Sequence, residues 1–330
     1  MGEPGASFAW FRGMFVPLTL IRIPAEPFQY TAKGMQTGKA SRTALRVAIR
    51  RAAHQFADRP PVLHDPVAVQ LIGNEYSRDL ERAMHPVARD FRCFMAVRSR
   101  YAEDHLACAV AAGIRQYAIL GAGLDTFAYR NPFADLRVFE VDFPATQQWK
   151  REVLAAAGIA IPANLTFVPL DFEHMTLTEG LTRAGFALDA PAFFSWLGVV
   201  PYLTLDAFRA TLAAVAQFPA GSGISFDYAF PPETLSPRRR EIFNRLAGRV
   251  AAAGEPFQLF FAQERLEGEL RSAGFHRIEQ ANHDDLNRLY FANRADGLKL
   301  SPVGIGMLAT AWVQDESAHA RQLDLRGCAS

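Results

Sequence analysis

The 330-residue sequence predicts a doubly wound α/β fold on a mostly parallel, seven-stranded sheet. Three observations predict it. Short apolar runs alternate with helical stretches from residue 116 onward, the pattern of an open sheet covered on both faces. The first run ends in a glycine turn, "LGAGLDT", and the next two end in acids, "FEVDFP" and "VPLDF". Half the chain is hydrophobic, enough for one large core, and a formal net charge of +1 provides no basic field for nucleic acid.

The elements follow in order. Leu45, Ala48, Ile49, Ala52 and Phe56 share one face of a first helix over Ser41–Phe56, with Ser41 as N-cap. "ADRPPVLHDP" then breaks the chain. A second helix starts after Pro86 and closes at Gly113. Its apolar face reads Val87, Phe91, Phe94, Tyr101, His105 and Ala109, and Arg98 lies on that same face. Arg100 is rotated about 200° from Arg98, at about 100° per residue, and is expected in solvent. Strands are expected over 116–120, 137–143, 165–172, 191–200 and 222–230, with two more over 276–282 and 304–313. Helices are expected over 144–157, 204–217, 236–254 and 261–275. The chain thus divides into an N-terminal extension, 1–39, poorly ordered or docked; a domain, 40–315; and a tail, 316–330. Within the domain, 40–113 form a helical cap and 231–262 a helical insertion after the fifth strand.

Residues 8–23 are apolar but hold Arg12, Arg22 and Pro17, and the uncharged run Gly13–Ile21 is too short to span a bilayer. No basic segment precedes it and no small-residue cleavage site follows cleanly, so it makes a poor signal peptide. Cys93, Cys108 and Cys328 form no C-x-x-C pair, so neither zinc nor a disulfide framework is expected. A cytoplasmic protein is expected, bound to neither membrane nor nucleic acid, with its oligomeric state left open.

Gly121 and Gly123 directly follow the first strand, where glycine lets backbone approach a ligand and a following helix N-terminus would present free N–H groups. Asp142 ends the second strand, 21 residues beyond Gly121, where a carboxylate can accept both hydroxyls of a ribose. Position 126 is Thr126, not the third glycine of G-x-G-x-x-G. That glycine serves packing around a pyrophosphate, so its absence favours an adenosine ligand without one, such as S-adenosylmethionine, over NAD. Asp171 and Phe172 end the third strand, where an acid can accept an adenine amino group and a ring can pack on the base. Arg98, if buried, needs an anion; a protein carboxylate and a ligand carboxylate both qualify.

The segments "YAILGAGLDTFAYR", "VFEVDFP", "VPLDF" and "WLGVVPYL" resemble the leucine carboxyl methyltransferase family, over roughly residues 40–230 with a continuation to 313. The resemblance implies a class I methyltransferase fold, Rossmann-like, with S-adenosyl-L-methionine as cofactor and, as in bacterial members that include polyketide O-methyltransferases, a small-molecule methyl acceptor. It implies that Gly121 and Gly123 form the cofactor turn, that Asp142 binds the ribose, and that Asp171 and Phe172 face the adenine. It gives the cofactor carboxylate to Arg98, with Arg100 as rival. A further contact from the first helix falls among Lys39, Arg42 and Thr43. The chain departs from the family at Leu197, where a glutamate near the methionine part is usual, and at Phe127, where bacterial relatives often have arginine. Tyr202 keeps the family's rim tyrosine and is the candidate catalytic residue near the substrate; a packed core tyrosine is the competing reading.

Methyl transfer needs alignment of donor and nucleophile and exclusion of water. A carboxylate acceptor needs no base, whereas a hydroxyl needs one, with His174 and Tyr202 as candidates. No order of Ser, His and Asp and no His-Glu-x-x-His supports hydrolysis or metal chemistry. Arg238, Arg239 and Arg240, on the insertion, are either a solvated run or a site for an acidic acceptor. The expected function is S-adenosylmethionine-dependent O-methylation of a small-molecule carboxylate or hydroxyl. The alternatives are a non-catalytic cofactor-binding module, which Leu197 encourages, and an NAD(P)-dependent oxidoreductase; methylation of a protein tail would also need a phosphatase acceptor.

Overall fold

The computed structural model describes residues 42–73, 76–171, 174–252, 254–301, 304 and 306–313. The predicted N-cap Ser41, the N-terminal extension and the C-terminal tail lie outside them. The described residues begin with three helices, α1 (Arg42–Ala57), α2 (Pro66–Ile72) and α3 (Ser77–Met84), followed by the long α4 (Arg89–Ala111). Then come β1 (Gln116–Leu120), β2 (Arg137–Asp142), α5 (Pro144–Ala156), β3 (Leu165–Pro169), α6 (Leu177–Arg183), β4 (Phe193–Trp196), α7 (Leu205–Ala216) and β5 (Gly223–Ala229). The described residues close with α8 (Pro237–Ala251), α9 (Gln263–Ala273), β6 (Arg277–Ala281), α10 (His283–Tyr290) and β7 (Gly306–Trp312).

The sheet order is β3-β2-β1-β4-β5-β7-β6. The first five strands in this order run parallel, and β7 is antiparallel to both β5 and β6. The strand order reverses between β1 and β4, which is where ligands of such sheets bind. Side chains alternate across the sheet. Ala118 and Leu120 of β1 face a core built with Leu181 of α6, Phe208 and Leu212 of α7 and Leu270 of α9. Tyr117 and Ile119 face the other way, toward Leu106 and Ala109 of α4. Helix α5 covers that second face at the β3 end, where Leu154 meets the buried alanines of α1. Both faces are therefore closed, as the strand–helix alternation predicts.

Several expectations are corrected. Val87 is 89% exposed, because Pro86–Ala88 form a single 3-10 turn and α4 begins only at Arg89. The rest of the predicted face holds: Phe94, Tyr101, His105 and Ala109 are buried, and so is Arg98. The strand expected over 191–200 stops at Trp196, because Gly198 takes φ 72° and turns the chain. The proline-rich break ends in α2: Asp65 caps it by accepting the Ala68 N–H at 3.0 Å, and Pro66 sits at its first position. Helices α3, α6 and α10 are too short for their periodicity to stand out in the sequence.

The helical cap is anchored by buried ions. Asp58 takes a two-pronged bond from Arg92, at 2.7 and 2.8 Å, and accepts from His54 Nδ1 at 2.8 Å. His54 Nε2 accepts the Val62 N–H, which leaves the proton on Nδ1. His54, Asp58 and Cys93 lie close enough together to hold a metal, but the imidazole and carboxylate are already engaged and burial pushes the Cys93 thiol up to about 12. Burial opposes ionisation of Asp58, yet the Arg92 and His54 bonds prevail and hold it at about 2.

Asp58 therefore stabilises the fold above its ordinary value of 3.8, and this contribution is lost as pH falls through about 2. Asp58→Asn, which leaves Arg92 buried and unpaired, is expected to cost about 3–5 kcal/mol in urea unfolding at neutral pH. It should also flatten the loss of stability between pH 4 and pH 2, and equal acid sensitivity in the two proteins would contradict this account.

Candidate active site

The glycine turn leaves β1 at the switch point. Gly121 and Ala122 both donate to Val141 O, at 2.8 and 3.1 Å, so the turn is stitched to the end of β2. Gly121 has φ 68° and Gly123 φ 48°, a region that favours glycine. A Cβ on Gly121 would lie 2.5 Å from Val199 Cγ2, and one on Gly123 2.9 Å from Ala44 Cβ. The turn is thus held between α1 and the loop after β4.

Asp142 stands at the end of β2, facing this turn. Its Oδ2 accepts the Gly123 N–H at 2.6 Å and its Oδ1 the Phe143 N–H at 2.7 Å. Burial raises the carboxyl's pKa despite those two bonds. A carboxylate offers about four acceptor positions, more than these two backbone bonds use. Behind it, Lys150 Nζ lies 2.6 Å from Glu140 Oε2 and donates to Asp125 O at 2.7 Å. Both side chains of this pair are fully buried, and desolvation pushes Glu140 up to about 7. The outer end of β3 is tied in by Leu170 N, which donates to Asp142 O at 2.9 Å. Asp171 follows on the same rim, and His174 Nδ1 lies 3.1 Å from its Oδ2. The His174 side chain is 76% exposed, which argues against it as a base in a closed site. Phe172, predicted beside the adenine, lies outside the described residues, as does Lys39.

No full helix follows the glycine turn. A single 3-10 turn, Phe127–Tyr129, takes its place, and the Phe127 N–H is spent on Asp125 Oδ1 at 2.8 Å. Thr126 donates to Asp65 Oδ2 at 2.7 Å, which gives the residue at the missing glycine a structural task. Arg51 reaches the turn from α1, donating to Leu124 O at 2.5 Å and to Asp65 at 3.1 Å.

Arg98 pairs with Asp227 of β5, Nη1 to Oδ2, at 3.0 Å, and both side chains are buried. Asp227 was not anticipated. The signal was an acid at an alternate position of an apolar strand: Phe226 and Tyr228 face the α7 core, and Asp227 faces α4. Asp227 Oδ1 also accepts the Gly198 N–H at 2.5 Å, and a Cβ on Gly198 would lie 3.0 Å from both terminal nitrogens of Arg98. Arg98 Nε is buried without a partner. Arg100, the rival, bonds Asp104 on its own helix at 2.7 Å and lies away from this cluster. Tyr202 is half-buried beside the pair. Burial raises its pKa first, the Glu255 charge raises it further, and the charges of Arg98 and Asp227 also reach it. Of the insertion arginines, Arg239 donates to Gly304 O and Arg240 to Pro232 O, so both support backbone.

The sheet order β3-β2-β1-β4-β5-β7-β6, with the glycine turn at its switch point, is that of a class I methyltransferase fold. Comparison with known proteins agrees. A family model described as leucine carboxyl methyltransferase matches residues 44–216, and the chain belongs to that family. A provisionally named S-adenosyl-L-methionine-dependent methyltransferase of Bacillus subtilis, YktD, is 35% identical over 294 residues, covering 80% of this chain and 95% of its own. A Mycolicibacterium smegmatis protein named in the same way is 30% identical over 246 residues, covering 71% and 80%. A solved structure of a provisionally assigned methyltransferase from Thermobifida fusca shares the fold, with TM-score 0.50 and 18% identity over 85% of this chain and 97% of that one. Among the described residues, no helix is long and apolar enough to cross a membrane.

Gly123→Ala is expected to push Ala44 and strain the turn, weakening adenosine-ligand affinity on the order of tenfold or more, about 1.4 kcal/mol. Calorimetric titration with S-adenosylhomocysteine checks this, and undiminished affinity would show that the turn does not touch the ligand.

Proposed function

We propose that the protein transfers the methyl group of S-adenosylmethionine to an oxygen, carboxylate or hydroxyl, of a small-molecule acceptor. Family membership and the relatives' names support the methyltransferase class and its cofactor. The observation that carries the reading to this chain's residues is the set of groups around the switch point: the two glycines of the turn, Asp142 beside them at the end of β2, and the buried Arg98 of α4 with its unpartnered Nε.

These residues fit the cofactor. Asp142 has acceptor positions left for the ribose, and Asp171 stands on the adenine side. Arg98 retains donors for the amino-acid carboxylate. Asp227, next to it, can take the ammonium, supplying from β5 the negative charge that Leu197 does not provide. When bound, S-adenosylmethionine supplies an electrophilic methyl on a sulfonium. The chain orients the acceptor, excludes water and offers Tyr202 at the rim as the candidate catalytic residue.

An NAD(P) enzyme is less well supported. The Phe127 N–H is taken by Asp125, Thr126 is bonded to Asp65, and a 3-10 turn stands where a diphosphate would need a helix N-terminus. The departure at Leu197 keeps a non-catalytic binding module as the second reading.

Calorimetry with S-adenosylmethionine is expected to give micromolar-range binding, about −8 kcal/mol, lost in Asp142→Ala. A folded wild-type protein that shows no binding would overturn the reading. Asp227→Asn is expected to weaken S-adenosylhomocysteine about tenfold, or 1.4 kcal/mol, but to leave its analogue without the amino group almost unchanged. Equal losses for the two ligands would remove Asp227 from the ammonium site.

A further inference from the structure

Helix α5 is fastened to the sheet at Gln147, whose Nε2 donates to Glu140 O at 2.6 Å and to Val168 O at 3.0 Å. One helical turn further on, Lys150 has a different task. Its Nζ lies 2.6 Å from Glu140 Oε2 and donates to Asp125 O at 2.7 Å, so it joins β2 to the loop that carries Gly121 and Gly123. Asp125 is the hub of that loop. Its N–H donates to Ala122 O at 2.7 Å, and its Oδ1 accepts the Phe127 N–H at 2.8 Å. Glu140 and Asp142 share one face of β2, two residues apart. Asp142 holds the front of the turn at Gly123 N, and the Glu140–Lys150 pair holds it from behind. This second hold depends on charge. Both side chains are buried, and neither Glu140 oxygen is aligned with a hydrogen-bond donor among the described residues. An uncharged Glu140 would leave an ammonium buried beside one carbonyl, a costly state from which the loop relaxes.

We propose that Lys150 is a positioning residue for the methyl donor, acting through the Asp125 carbonyl, and that the charge on Glu140 sets whether it holds the turn in its binding geometry. This rests on the donor lying at the turn, as under the proposed function, and deepens that reading. The donor takes the form in which the turn is drawn onto β2, and that is the form with Glu140 ionised. By linkage, donor binding draws the proton off Glu140 and releases it to solvent. Desolvation pushes this acid up to about 7 against the pull of Lys150, and the Asp125 and Asp142 charges add to the rise. Donor affinity is therefore full above about 7 and falls as pH drops through it. The other groups around Glu140 are Tyr129, Arg151 and Arg51. Burial and the Glu140 charge keep Tyr129 protonated. Arg151 of α5 lies 3.9 Å over the Phe167 ring of β3, and Arg51 of α1 lies 4.0 Å from Asp125; both stay charged. The register neighbours of Glu140 on β1 and β3, Ile119 and Phe167, carry no charge. Asp142, also raised by burial, and His174 on the adenine side are the competing sources of a pH dependence.

The test titrates the full chain calorimetrically with S-adenosylhomocysteine and with 5′-methylthioadenosine, which has no group that titrates between pH 6 and pH 8. Both are expected to bind at least about threefold more weakly at pH 6 than at pH 8, about tenfold being the limit for a single acid of this value. At pH 7, buffers of different ionisation heat should reveal a net release of protons on binding. Glu140→Gln should bind both ligands at pH 8 as weakly as wild type does at pH 6, and equally at the two pH values. The double variant Glu140→Gln/Lys150→Met, which buries no unpaired charge and keeps Gln147, should likewise show no pH dependence. It and the wild-type proton release carry the test if Glu140→Gln alone does not fold. His174→Gln should keep the wild-type dependence. A wild-type change below threefold, a dependence confined to S-adenosylhomocysteine, its survival in either Glu140 variant, or its loss in His174→Gln would each overturn the assignment. Failure of both ligands to bind at either pH would overturn the donor-site reading itself.

Discussion

The site depends on one buried carboxylate, that of Asp65. Asp65 is completely buried at the start of α2, and four elements meet on it. Arg51 approaches from α1 at 3.1 Å, Thr126 from the glycine turn at 2.7 Å, Arg130 from just beyond that turn at 3.5 Å, and Ala68 N from α2 itself. Burial alone would raise the acid's pKa, but Arg51 and Arg130 bring it below its ordinary value. Arg130 extends the network to α4 through a two-pronged bond to Glu103. A buried ion pair adds little net stability over apolar packing but strongly penalises arrangements that break it. Here it sets the position of the turn relative to the cap. That explains a threonine at the place of the third glycine: the backbone approach is needed only at Gly121 and Gly123, and position 126 is free to anchor.

The same logic accounts for Arg98 and Leu197. A cation in the middle of α4, facing the sheet, needs an anion in every ligand state. Asp227 supplies it from β5, and the Gly198 turn closes over both. The strand-end loop then carries Leu197 without leaving the arginine unpaired. The negative charge is one strand away from the place where the family usually has it. Under the proposed function the departure is read as a relocated charge, with Asp227 on β5 in place of an acid at position 197.

Much of this was visible in the sequence, for physical reasons. The parallel strands read clearly because both faces are buried and their apolar runs are continuous, as in "QYAIL". The glycine turn and Asp142 were visible because backbone geometry demands glycine there and an acid at a strand end has few structural uses. Arg98 was visible as a charge on an apolar helical stripe. Its partner was not identified, because pairing across more than a hundred residues leaves no local pattern. Asp65 read only as part of a proline break, since a capping acid and a network centre look alike in one dimension. Glu255 sits in "GEPFQ", a loop with no periodicity, and its meeting with Thr43 is set only by how the insertion folds back.

That division between the visible and the hidden follows how the two halves of the site are built. The cofactor side is made from strand ends, whose spacing is dictated by the sheet and whose residue types are dictated by backbone approach and charge. The proposed acceptor side lies at two additions to the sheet, α1 and the segment after α8, which Thr43 and Glu255 join. Tyr202 lies between them. It leaves the sheet directly after β4, yet its ring meets Phe257 from the segment after α8. A shift in either addition changes what Tyr202 faces without moving a strand. Under the proposed function donor recognition is insulated from acceptor recognition, and two relatives can share every strand-end residue and still differ in the acceptor they methylate.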